Sequence, residues 1–530
     1  MLYLPPQLQG HQLQAQGLVR HALTTTTALC QSRPGEIVVV TPRWARDDIT
    51  SSLYDLAPAT SDRIRVVSPR LAAPSGVIVR AALSRRRPRR VRSPLRLRLP
   101  EPLNRAAVAV LSSWLLTMIA LLVVLAVVCG LIALIWYLGA IAWLLAAAVA
   151  IVAVVAVIAL VVQRLMGGRS KRASAKVKAR VRQVAPVAGV RVKLSILLER
   201  ADVSSLVRTA NRTGVGAWWM PISLYSGLGR LKGTRVATFA DYSPVEFPRM
   251  VLEDPAMIAR GQEMARCLTS SDAIVCLSEH VRSSHLSVLA PEAAGMVTVI
   301  PPGPPLRSAR AEPLGDETEN LQAVIRELAD RFPRSAVRVA DWWTEPVLIA
   351  PTQGRPYKNL RSLIQAVKLV NTRLGVRARL ILTADPFSSG LGQYVQAHRC
   401  QAFVEFLPDL SDVALNATLA SADLAVSPSL FEGSLPYMLY EAVSVGTPCL
   451  LADIPVTREA ARDEDEFREL TLFNPHDPRV IADHIVHALS RAGHLLRVQK
   501  VFVEQYYRTA GWDVAAERYW ETIDRVSSHA

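Results

Sequence analysis

Four charged side chains carry the first hint of chemistry. Glu432 and Glu441 flank the start of a short helical stretch in Pro428-Ser-Leu-Phe-Glu-Gly-Ser-Leu-Pro-Tyr-Met-Leu-Tyr-Glu. Glu432 precedes Gly433 and Ser434 and is expected on a loop. Pro436 is expected in the first helical turn, where a missing N–H costs nothing, and Gly446 at the helix end, with Pro448 just beyond. A helix start offers free N–H groups and partial positive charge, which suits a phosphate. A carboxylate beside it can accept two hydrogen bonds from vicinal hydroxyls. The layout suits a sugar joined to a diphosphate. Arg355 and Lys358, in Thr352-Gln-Gly-Arg-Pro-Tyr-Lys-Asn-Leu, offer two cations on one loop.

Elements able to hold such loops recur along the chain. Glu36-Ile-Val-Val-Val-Thr and Arg65-Val-Val-Ser read as buried strands, after a short strand at Leu2–Leu4 and a helix over 12–29 that follows Gly10. Strands at 217–221, 235–239, 273–278 and 297–303 then enclose a helix at 256–270. A linker over 304–345 carries one expected helix, 317–331. A second alternating series has strands at 347–350, 379–384, 402–406, 424–427 and 449–452, the last clear strand, with helices at 359–374 and 412–420 and a glutamate-bearing helix that ends at Gly446. The chain after His476 reads as largely helical. Strands alternating with helices predict parallel sheets covered on both faces, with ligands at the carboxyl ends of the strands.

The paired-glutamate segment resembles the motif of retaining GT-B glycosyltransferases of the family 4 type. The usual form has seven residues between the glutamates, and here the segment 433–440 makes it one longer. Four further stretches are similar to that family: Thr238-Phe-Ala-Asp-Tyr-Ser-Pro, Ser271-Asp-Ala-Ile-Val-Cys-Leu-Ser-Glu, Val299-Ile-Pro-Pro-Gly and the 352–360 loop. Trp512 and the helix after it resemble the tail that crosses back onto the first domain. The resemblance implies two Rossmann-like domains facing across a cleft. It implies transfer of a sugar from a nucleotide-sugar donor with retention of configuration and no metal or other cofactor. Glu432 would hold donor-sugar hydroxyls, Arg355 and Lys358 the diphosphate, and Glu441 the ribose. Gly10, Gly433, Ser434 and Leu435 would complete the donor site, and Asp241 would contact sugar or acceptor or else cap its loop. Relatives often carry His-Asp where this chain has Ala240-Asp241.

Composition adds a membrane. The chain has 530 residues, 50% of them hydrophobic, and a mean hydropathy of +0.22. From Ala106 to Val162 it carries no charge, enough for two spans of ~20 residues each. We expect a transmembrane hairpin at 106–163 inserted in the first domain. That domain would comprise 1–105 and 164–303, followed by the 304–345 linker, a nucleotide-sugar domain at 346–485 and crossing helices at 486–530. The net charge of +16 concentrates in the flanks 80–105 and 164–182. The positive-inside rule then places both flanks, and the catalytic domains, on the cytoplasmic side of a plasma or inner membrane. The flanks suit anionic lipid headgroups rather than nucleic acid, because they abut a span and lack interleaved aromatics. A lipid-linked or other membrane-associated glycan acceptor follows as the expectation. The six cysteines show no metal spacing and read as reduced, and the N-terminus shows no signal peptide. His280 and His285 read as surface or satisfied histidines. Two other readings stay open: a non-catalytic GT-B-like scaffold of a membrane complex, and a transporter subunit, the latter disfavoured by the lack of intramembrane charge.

Overall fold

The structure, a computed structural model, describes residues 17–42, 45–56, 58–69, 203–250, 256–305, 345–387 and 389–528, together with the helical positions 322 and 326. Gly10, the strand at 2–4, the hairpin at 106–163, both basic flanks and most of the linker lie outside those residues. Among the described residues no helix is long and apolar enough to cross a membrane.

The first domain is built on parallel strands. Helix α1 (Gly17–Ser32) leads to β1 (Ile37–Val40), α2 (Arg46–Leu56) and β2 (Ile64–Val67), and β1 pairs with β2. Further along, β3 (Ala217–Met220), β4 (Thr234–Phe239), β5 (Ala273–Cys276) and β6 (Val297–Val299) form a four-stranded parallel sheet in sequence order, with α3 (Ala256–Thr269) between β4 and β5. Alternation along each strand explains why the runs are apolar throughout. Val39, Trp219, Val236 and Val275 face a core shared with α1. Val38, Trp218, Met220, Phe239 and Ile274 face the opposite core, shared with the helical stretch 203–211 and α3.

The second domain holds a six-stranded parallel sheet. Its elements are β7 (Val347–Ala350), α4 (Leu360–Arg373), β8 (Arg379–Leu382), α5 (Leu391–Ala397), β9 (Val404–Phe406), α6 (Asp412–Ala420), β10 (Leu424–Ser427), α7 (Tyr437–Ser444) and β11 (Cys449–Ala452). They continue through α8 (Pro455–Ala460), α9 (Asp465–Thr471), β12 (Leu472–Phe473), α10 (Pro478–Ser490), α11 (Ala492–Ala510) and α12 (Trp512–Ser527). The strand order is β12-β11-β10-β7-β8-β9. After β7 the chain winds one way through β8 and β9, then returns to lay β10 on the other side of β7. The loops after β7 and β10 therefore diverge from adjacent strand ends and leave a crevice between them.

Two expectations need correcting. β11 is not the last strand, because the two-residue β12 pairs with it at the sheet edge. Pro436 is the N-cap of α7 rather than a residue of its first turn. Gly446 does end that helix, at φ +90°.

Helix α12 lies on the first domain. Trp512, Ala515, Ala516, Tyr519 and Ile523 share the core of α1, β1 and β4. The Tyr519 hydroxyl bonds Thr238 Oγ1 at 3.1 Å, which also accepts from Trp219 Nε1 at 2.8 Å. Trp512 Nε1 donates to the Pro304 carbonyl at 2.5 Å. Its indole lies so close to Gly303 that a Cβ there would come within 2.6 Å of the ring. Trp512→Ala removes this anchor and is expected to cost about 3–5 kcal/mol. Differential scanning calorimetry should show the first-domain transition moved several degrees lower and the other transition little changed.

Candidate active site

The loop after β7 is shaped by its own sequence. Pro356 starts a tight turn over Pro356–Lys358, and Asn359 closes it in the left-handed region at φ 56°, a conformation asparagine tolerates. Asn359 Nδ2 donates to the Pro475 carbonyl at 2.8 Å, and its Oδ1 accepts from Ser362 Oγ at 2.7 Å. The turn presents both Arg355 and Lys358 beside the Tyr357 ring. Arg355 Nη1 donates to the Tyr357 hydroxyl at 2.7 Å. The Lys358 ammonium lies 5.6 Å from the Tyr357 ring centroid, within range of a cation–π attraction.

The loop after β10 runs beside it, tied by Leu430 N–H donating to the Tyr357 carbonyl at 2.8 Å. That tie brings Lys358 Nζ to 2.5 Å from Glu432 Oε1, although 74 positions separate them. Both side chains are mostly enclosed, at 17% and 20% exposure. Gly433 follows, and here the absence of a side chain is required. A Cβ at 433 would lie 2.5 Å from the Ala240 carbonyl oxygen and 3.1 Å from Asp241 Oδ2. Ser278 Oγ, from the end of β5, donates to the Gly433 carbonyl at 2.9 Å.

The result is one cleft of about 980 Å³, lined from both domains. Arg355, Lys358, Glu432, Gly433, Ser434, Leu435 and Glu441 line it from the second domain, and Ala240 and Asp241 from the first. Every sequence-predicted site residue within the described residues therefore lines this single cleft, and Gly10 lies outside them. The Asp241 carboxyl is pushed up to about 6, chiefly by burial and then by the Glu432 charge, against the pull of Arg355 and Lys358. Ala240, at the position where a histidine was the family expectation, presents only a methyl group beside the glutamate loop.

Sequence reasoning missed two contributors. His21 on α1 lines the cleft, is buried, and finds no hydrogen-bond partner at either ring nitrogen among the described residues. Burial lowers it to about 4, so it is neutral near pH 7. Tyr242 also lines the cleft. Neither carried a signal: a single histidine in a helix has no spacing partner, and Tyr242 matters through its backbone. The five described cysteines, Cys30, Cys267, Cys276, Cys400 and Cys449, are unpaired and buried.

Because the Asp241 carboxyl is raised, the folded protein holds its proton more tightly than the unfolded chain does. Stability from this group therefore falls as pH climbs from about 4 through about 6. Asp241→Asn removes the charge and should stabilise the protein by about 1–2 kcal/mol at pH 7.5, with the gain vanishing near pH 4. Thermal melts of both proteins across that range read the difference directly.

Comparison with known proteins agrees with the cleft on one side. Residues 345–491 match the family described as Glycosyl transferases group 1. Comparison with curated proteins gives no significant match. Among solved structures, the sucrose-phosphate synthase of Thermosynechococcus elongatus is similar over 62% of this chain and 79% of its own, at 16% identity and a TM-score of 0.47. The Anabaena HepE structure in complex with UDP-glucose is similar over 61% and 82%, at 14% and 0.45. A glycosyltransferase from Rickettsia africae gives 63% and 82%, at 12% and 0.43. Scores of this size assign nothing by themselves. The matched residues include the second sheet with its Arg355–Lys358 and Glu432 loops, so that part of the chain resembles a glycosyl transferases group 1 domain.

Proposed function

We propose that this protein transfers a sugar from a nucleotide-sugar donor, with retention, to a membrane-associated acceptor. The observation that carries the reading is the meeting of Arg355, Lys358 and Glu432 at the β7/β10 crevice, with Asp241 across from them. Arg355 and Lys358 hold the donor diphosphate, where charge builds as the glycosidic phosphate bond breaks. Glu432 accepts hydrogen bonds from sugar hydroxyls, and Glu441, on α7, takes the ribose. Gly433, Ser434 and Leu435 let backbone approach the sugar. The bond from C1 to the phosphate oxygen breaks with its electron pair leaving on that oxygen. The acceptor hydroxyl forms the new C1–O bond on the same face, and its proton passes to the departing phosphate. Two basic side chains supply the charge that a metal supplies elsewhere, so no metal is required in this scheme.

The acceptor side rests on the sequence. A charge-free stretch from Ala106 to Val162 interrupts the first domain, with arginine-rich flanks at 80–105 and 164–182. We read it as a two-span hairpin that holds the cleft at the cytoplasmic face of a membrane, with the flanks on anionic lipid. A lipid-linked acceptor in glycolipid or polysaccharide assembly fits that placement. The scaffold reading draws on Ala240, and on Lys358 and Glu432 neutralising each other.

The decisive measurement uses full-length protein in detergent or nanodiscs with a panel of nucleotide sugars. Lys358→Ala is expected to lower turnover by 10²-fold or more, since it removes a cation facing developing charge. Turnover undiminished in the Lys358→Ala, Glu432→Ala double variant would instead establish the scaffold. Deleting 100–168 should leave donor hydrolysis intact while reducing transfer to a membrane-embedded acceptor by at least tenfold. Equal transfer by the deleted protein would sink the membrane-acceptor reading.

A further inference from the structure

The segment that follows β5 joins both walls of the cleft. Residues 278–285 read Ser-Glu-His-Val-Arg-Ser-Ser-His, and Val281–Leu286 winds as a single π-helical stretch. Such wide turns often mark functional positions. The turn brings His280 and His285 edge to face, with ring centroids 5.4 Å apart. Both Nε2 atoms reach Glu246 Oε1, at 2.9 Å and 3.2 Å.

Two histidines and a glutamate within reach of one point have the composition of a metal site. The hydrogen bonding argues otherwise. His285 Nδ1 accepts the backbone N–H of Tyr242 at 3.0 Å, so that nitrogen carries no proton. A neutral ring must then hold its proton on Nε2, facing the Glu246 carboxylate, whereas a metal at Nε2 needs the proton on Nδ1. The triad is a hydrogen-bonded unit.

What the unit holds is the cleft. Tyr242, whose amide His285 accepts, adjoins Asp241. The His285 ring also stacks on Phe431, with centroids 5.0 Å apart and planes 17° from parallel, and Phe431 adjoins Glu432. The ring is fully buried. On the same segment Glu459, from α8, accepts the backbone N–H of Glu279 at 2.7 Å and of His280 at 3.0 Å. We propose that His285 is a positioning residue for sugar transfer, fixing the Asp241 loop of one domain at a set distance from the Glu432 loop of the other. The inference rests on the glycosyltransferase reading. Front-face transfer needs donor and acceptor groups within a near-attack geometry, and a misplacement near 1 Å can cost about 10²-fold. None of the described contacts of His285 reaches Arg355, Lys358 or Glu441, so donor affinity and turnover should separate.

The test compares His285→Phe, which keeps the stack on Phe431 but loses both ring nitrogens, with His285→Asn, whose Oδ1 stands near the place of Nδ1. Full-length variants are read two ways. Hydrogen exchange is followed at 240–247 and 430–435, with 404–427 as internal control. Binding of UDP, GDP and ADP, and their release from UDP-glucose, GDP-mannose and ADP-glucose, are followed in parallel. His285→Phe should exchange at least tenfold faster in both loops with the control unchanged. Its kcat should fall at least tenfold while nucleotide Kd stays within twofold, and His285→Asn should recover most of both. Unchanged exchange in a folded His285→Phe protein, or equal loss in both variants, overturns the proposal. Should His285→Phe fail to fold, Glu246→Ala, at a partly exposed carboxylate, is expected to loosen the same two loops, and protected loops in that variant overturn it equally. Faster exchange in a chain whose wild type releases no nucleotide from these donors supports the positioning of the loops and overturns the transferase reading.

Discussion

The ion pair between Lys358 and Glu432 is the contact around which the cleft is arranged. Each residue sits on the loop after one of two neighbouring strands, and the Tyr357 carbonyl tie keeps those loops in register. Two charges withdrawn from water are tolerable because each has the other, and removing one partner strands the second. The pair also defines what can replace it. A ligand that separates the two must bring an anion for the ammonium and hydroxyl donors for the carboxylate, within a few ångströms of each other. A diphosphate joined to a sugar is a molecule of that kind, and a simple phosphate or a neutral sugar meets only half the demand.

Across the cleft the constraint is steric. Gly433 touches the Ala240 carbonyl and the Asp241 side chain because it has no Cβ. Asp241 is therefore held close to Glu432, and its raised proton affinity follows from that closeness as well as from burial. Such like-charge proximity costs stability and is typical of sites where the empty state is strained in favour of a bound one. His285 and Ser278 reinforce the arrangement from behind, each touching one loop of the second domain.

Much of this is legible in the sequence. The buried strands β1, β5, β7, β10 and β11 announce themselves as unbroken apolar runs, and α4 and α6 as amphipathic or capped segments between them. Arg355, Lys358, Glu432 and Asp241 were readable as a set through family resemblance, and their loops follow strands as expected. What escaped was non-local. Two residues of β12 contain no period to detect, and α8 and α9 are too short to show one. The need for glycine at 433 depends on Ala240, which is distant in sequence. His21 and His285 acquire meaning only from what surrounds them, since an isolated histidine is consistent with almost any environment.

The placement of α12 bears on how the protein is made. The face of the first domain that carries Trp219, Val236 and Val275 is closed by Trp512, Ala516 and Tyr519, and the whole second domain intervenes in sequence. At ribosomal speeds of about 5–20 residues per second, the roughly two hundred intervening residues take on the order of ten to forty seconds to emerge. For that interval the nascent chain displays a tryptophan-bearing sheet face that α1 covers only in part. Synthesis thus imposes an order in which the domain begun first is completed last, and a chaperone or a nearby apolar surface has time to engage it.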